Sequence, residues 1–158
     1  MDRAASAGDD SLRMLAHRVS EAAEALIVTW NAAAQSASPR LSSLQLEALL
    51  IARRVPGINL TGLAERMGAA PPAASRLCDR LEAAGLLERR RTSTNRREVE
   101  LLLTAHGQVI LQTLSEHRAE AIGQILQHVP SAQAEALAVG LRAFTEAVEA
   151  AESSGPER

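Results

Sequence analysis

Arginine carries whatever binding chemistry this sequence can do. Lysine is absent, so all 17 basic residues are guanidinium groups. Ten of them fall at positions 53, 54, 66, 76, 80, 89, 90, 91, 96 and 97. Residues 53–100 also hold six acids, which leaves +4 there and −6 on the rest of the chain. A guanidinium is a planar fork that meets two acceptors at once, on a phosphate or a guanine edge. A basic centre between acidic flanks is an electrostatic footprint for a polyanion; a solvated charged surface is the plain alternative.

Other chemistries find little support. No Ser-His-Asp or Cys-His set, Gly-rich phosphate loop or calcium loop is present, so no enzyme is expected. His106, His117 and His128 recur every eleven residues and would share a helix face. Eleven residues rise ~16.5 Å, too far for one zinc ion, so no metal site is expected within the chain. A site shared across a dimer is the alternative. Cys78 is the only cysteine and can form no internal disulfide. It falls between Leu77 and Leu81 on an apolar face, which favours packing over redox sensing. Aromatics make up 1% of the chain, too few for platforms that stack single-stranded bases. No cofactor is expected.

The elements that must position the arginines follow from apolar spacing. The chain has 158 residues, 46% of them apolar, enough for one domain with a core. It reads as mainly α with a small β-hairpin. Residues 1–10 are small and acidic and read as a disordered N-terminus. Leu12, Leu15, Val19, Ala22, Leu26 and Trp30 recur at helical spacing from Ser11 to about Ala34. Ser42-x-x-Gln45 is a capping box for a helix over about 43–54. Asn59 caps a short helix over about 60–67. Pro71 and Pro72 fit only the first turn of a helix that runs to Ala84. Residues 86–91 and 97–103 read as strands around a Thr-Ser-Thr-Asn tip. Thr104 opens a long helix to about His128, and Ser131 begins a last one with a stripe of Leu137, Leu141, Phe144 and Val148.

Residues 41–103 therefore form a winged helix-turn-helix. The helix from Pro71 is held by Leu77 and Leu81 while its front enters a major groove. Pro72, Ala73, Ser75, Arg76 and Arg80 lie at or near that front. Asp79 is placed either to align Arg76 at i,i+3 or to point back at its own domain. In the hairpin, Arg89, Arg90 and Arg91 lead into the tip and Arg96 and Arg97 lead out, an array suited to a narrow minor groove. The alternative for the hairpin is a charged edge that deters aggregation.

The stretch LTGLAERMGAAPPAASRLCDRLEAAGLLERR, followed by NRREVELLLTAHG, resembles the MarR family of bacterial transcription regulators. Three positions depart from that pattern: Asn95 for Asp at the wing tip, Ala70 for a Ser cap, and Gly62 for a better helix former. The resemblance implies a cytoplasmic homodimer that reads a pseudo-palindromic double-stranded operator. The flanking segments, 11–40 and 104–150, would be its dimerisation helices, with 151–158 a loose tail. Their apolar stripes are too long for a small reader domain to cover. The resemblance also implies repression, relieved by a small aromatic acid such as salicylate. On that reading Leu15, Trp30, Leu46 and Leu49 are the wall of a ligand pocket, with Arg13, His17 and Arg89 as donors. The alternative is that Trp30 and the leucines only pack.

Two rival functions remain at this level. One is a DNA-architectural protein with little sequence preference, which would bind with a steep salt dependence and a specificity ratio near one. The other is a helical protein–protein adaptor, with no salt-dependent DNA affinity. The N-terminus has no apolar core of a signal peptide, and no apolar run can span a bilayer. No membrane partner is expected.

Overall fold

The computed structural model describes residues 3–36, 40–91 and 99–153. The chain divides into two units, Met1–Ala119 and Glu120–Arg158. Among the described residues the architecture is mainly helical, with a small antiparallel sheet.

Helix α1 spans Arg3–Ser36, so it starts well before the expected Ser11. The added turns include Ala4, Ala5 and Ala7, and alanine is the residue that costs a helix least. Small, acidic composition alone suggests a loose end there. Helix α2, Ser43–Arg54, begins where its capping box requires. The Gln45 amide donates to Ser42 Oγ at 3.2 Å, and the Ser42 amide donates to Gln45 Oε1 at 2.9 Å. Two orphan donors of the first turn are thereby satisfied reciprocally.

Strand β1, Ile58–Asn59, is the one element that apolar spacing did not foretell. Two residues are too few to show a period. Gly57 turns the chain at φ +81°, a conformation that costs glycine nothing. Ile58 then lies opposite Leu101, and Asn59 opposite Glu100. Asn59 Oδ1 also accepts from the Gly62 amide at 2.8 Å and so caps α3, Leu60–Arg66.

Helix α4, Pro71–Ala83, starts on Ala70, which makes no side-chain cap bond. Pro71 and Pro72 partly offset this, because they bring no amide donor to the first turn. Strands β2, Leu87–Arg91, and β3, Val99–Leu103, pair antiparallel, with β3 central in the order β1-β3-β2. Leu49, Leu63, Leu81, Leu86 and Leu101 are fully buried together with Cys78. They come from α2, α3, α4 and the sheet, so one apolar cluster fixes α4 against the ribbon.

Helix α5, Ala105–Leu126, is locked to this cluster at its first turn. Thr104 Oγ1 accepts from the Gly107 amide at 2.9 Å and donates to the Gly85 carbonyl at 2.6 Å. The Thr104 amide donates to the Leu86 carbonyl at 3.1 Å. One residue thus ties the turn after α4 to the start of α5. In the second unit, α6 spans Ser131–Ser153. Its Leu137, Leu141, Phe144 and Val148 are exposed.

Candidate nucleic-acid interface

The two faces of α4 divide as the spacing predicts. Ala74, Leu77, Cys78 and Leu81 are buried. Pro72, Ala73, Arg76 and Arg80 are exposed, and Ser75 is half-buried between the faces. The exposed set occupies one side of a 13-residue helix, about 20 Å long. That shape fits a major groove ~12 Å wide. Arg80 Nε donates back to the Arg76 carbonyl at 3.3 Å, so its stem lies along its own helix. Arg76 makes no ion pair among the described residues.

Asp79 does not align Arg76. It pairs with Arg89 instead, Nη1 to Oδ1 at 2.7 Å, and Glu82 Oε2 meets the same nitrogen at 2.9 Å. Arg89 is thereby removed from the free cations of the wing. Its guanidinium clasps β2 to the back half of α4, and the hydrogen bond that it donates to Asp79 raises its pKa further. Helical spacing offers Asp79 only neighbours on its own helix, whereas the partner it takes is on a strand. We expect Arg89→Gln to lower unfolding stability by about 1–2 kcal/mol, between the values for exposed and buried ion pairs. An unchanged urea midpoint would show that the clasp adds nothing.

Arg90 and Arg91 are exposed on opposite faces of β2, as alternation along a strand requires. Arg90 sits opposite Glu100 in register. Asn95, Arg96 and Arg97 lie outside the described residues.

Burial pushes the Cys78 thiol pKa up, which disfavours the reactive thiolate. No cluster of metal-ligating side chains forms among the described residues. No described helix is long and apolar enough to cross a membrane.

The expected ligand residues are not brought together within the chain. Leu15 and Trp30 are fifteen residues apart on one helix, about 22 Å along its axis. Arg13 is engaged by Asp9 at 2.9 Å, and His17 is exposed beside it. Leu46 packs against the core, and Leu49 is fully buried inside it, with no surface left for a ligand. Arg89 is held by its two carboxylates. Periodicity identifies which residues face inward, but not which inward faces enclose a space. A cleft of about 370 Å³ does occur elsewhere, between the end of α2, β3 and the start of α5. Arg53, Gln108 and Leu102 help to line it, and none of the expected residues does.

One contact was not legible in the spacing at all. The Arg118 guanidinium of α5 lies 4.1 Å over the Trp30 ring of α1.

Comparison with known proteins gives the following. Residues 41–99 match the family model described as the MarR family. The whole fold is similar to that of RV1404 from Mycobacterium tuberculosis, at 29% identity and a TM-score of 0.78, over 88% of this chain and 95% of that one. It is also similar to the transcriptional regulator Tm0710 from Thermotoga maritima, at 19% identity and a TM-score of 0.72, over 90% and 99% of the two chains. A MarR family protein from Bacillus stearothermophilus shares 19% identity and a TM-score of 0.62, over 94% and 98%. No curated protein matches the sequence significantly.

Proposed function

We propose that the chain is a homodimeric transcription regulator that reads a double-stranded operator, a reading supported by the match of residues 41–99 to the MarR family model. The exposed front of α4, with Arg76 and Arg80 above a fully packed back, is the observation that supports this most directly. Pro72, Ala73 and Ser75 would approach the base edges with them. Arg90, Arg91, Asn95, Arg96 and Arg97 of the wing would follow the adjacent minor groove. Arg89 acts from behind, by holding the wing against the reading helix.

Dimerisation through residues 11–40 and 104–150 is supported by uncovered apolar surface. Leu12, Leu15, Val19 and Trp30 of α1 and Leu137, Leu141, Phe144 and Val148 of α6 are each 41–66% exposed. Stripes of this kind on long helices mark a surface for a partner. A two-fold dimer presents two reading helices about one DNA turn, ~34 Å, apart, and so selects a pseudo-palindrome. The regulator would act in the bacterial cytoplasm as a repressor, released by a small acid of the salicylate type.

Two measurements test this reading. Sedimentation at micromolar concentration is expected to give twice the 16.8 kDa chain mass. Footprinting on the DNA upstream of its own gene is expected to give one protected pseudo-palindrome. A folded monomer would remove the two-fold reading. Binding to random DNA as tight as to the footprint would make the protein architectural.

A further inference from the structure

The first turn of the reading helix holds almost no hydrogen-bonding groups. Pro71 and Pro72 bring no amide proton to it, and the Ala73 amide donates to the Ala70 carbonyl at 2.9 Å. Ala70, at the cap position, has no polar side chain to offer. A helix start ordinarily leaves free N–H groups that hold a phosphate. The first three residues of α4 hold none. They present instead the ring of Pro72 and the methyl group of Ala73, both exposed, with Pro71 exposed beside them.

Farther along the helix the polar side chains are few. The α4 sequence contains no Asn or Gln, the side chains that take adenine at N6 and N7. Asp79 and Glu82 are its two carboxylates, the groups that accept from cytosine N4, and both hold Arg89. Ser75 is half-buried, and a hydroxyl discriminates little between bases. Arg76 and Arg80 remain on the exposed front, and a guanidinium fork selects guanine. Apolar carbon at the first turn matches the one apolar group of the major groove, the 5-methyl of thymine. Ala73 and Arg76 are separated by ~4.5 Å along the axis, against ~3.4 Å per base step. We propose that Pro72 and Ala73 read a thymine methyl while Arg76 takes a guanine within two base pairs of it. This rests on the operator-reading proposal above and names the bases that it selects.

The experiment first selects duplexes from a random library with the full-length protein, which defines a site without reference to any gene. A thymine within two pairs of a guanine is expected in each half-site. Deoxyuridine is then placed at those thymines, which removes the methyl and keeps every hydrogen-bonding group. Affinity should fall about fourfold for each contacted methyl, the worth of one buried carbon. A cytosine pair at the same place should bind worse, and 5-methylcytosine should recover part of that loss. In Ala73→Gly or Pro72→Ala the thymine-to-uracil ratio should shrink toward one. Should either variant fail to fold by circular dichroism, the other carries the test. Equal binding of thymine and deoxyuridine duplexes by the wild type would overturn the proposal, as would a ratio undiminished in every folded variant. So would a deoxyuridine effect with no recovery by 5-methylcytosine, because duplex shape would then be its source. Each of these results leaves the operator-reading proposal standing. A library with no enriched duplex removes that reading, and the thymine contact with it.

Discussion

A Gly107→Ala protein is expected to unfold about 3 kcal/mol or more too easily, although alanine normally strengthens a helix. Gly107 lies in the first turn of α5, pressed on the end of the sheet. A methyl group there would enter the Leu86 carbonyl oxygen and come within 2.8 Å of Leu103 Cδ1. A leucine can change rotamer, but a carbonyl fixed in the Thr104 junction cannot. The whole first turn of α5 would have to lift, and the core cluster that includes Leu111 would open with it. Gly123→Ala on the same helix is the control, because nothing lies within 4 Å of that position. It is expected to gain roughly 0.5–1 kcal/mol from helix propensity alone. Urea unfolding of the two variants would show opposite shifts. Equal shifts would mean that α5 does not seat on Leu86 as described.

The largest functional loss is expected at Arg76. Its guanidinium is exposed on the front of α4 and makes no ion pair among the described residues, so no described carboxylate competes with DNA for it. If it reads a base, Arg76→Ala costs ~1–3 kcal/mol on the operator and much less on random DNA. Arg96→Ala or Arg97→Ala should instead weaken both and reduce the salt slope by about one. Competition binding at several salt concentrations separates the two patterns. An Arg76→Ala protein that loses operator and random DNA equally would leave Arg76 a phosphate contact.

How much of this was legible beforehand depends on the range of the interaction. Ser42-x-x-Gln45 and Asn59 act on residues three away, and both caps are found where the local pattern puts them. The buried face of α4 is likewise local, set by a period of 3.6. Arg89 is different: its partners are seven and ten residues back, across a turn, and only tertiary placement chooses them over Arg76. Trp30 and Arg118 are 88 positions apart, and no spacing rule links them. The expected ligand wall is dispersed within one chain for a related reason. It combined inward residues from the far end of α1 with Leu49 of the core, and helix length keeps Leu15 and Trp30 apart within the chain. The start of α1 lies before its apolar stripe, in a run whose alanines favour helix without giving it a period.

The Thr104 junction has a mechanical meaning. Its hydroxyl joins the Gly85 turn at the C-terminal end of α4 to the first turn of α5. That end of α4 is where the reading helix meets α5, and the opposite end, carrying Pro72 and Ala73 and packed on α3 through Ala74, lies about 20 Å away. When the first turns of α5 tilt by about five degrees, that far end sweeps by about 2 Å while Leu81 scarcely moves. A displacement of that size is enough to misplace a bidentate contact, whose hydrogen bonds tolerate only a few tenths of an ångström. Under the proposed function, release from an operator would need no melting of the reading helix, only a small change in the angle at which α5 is held.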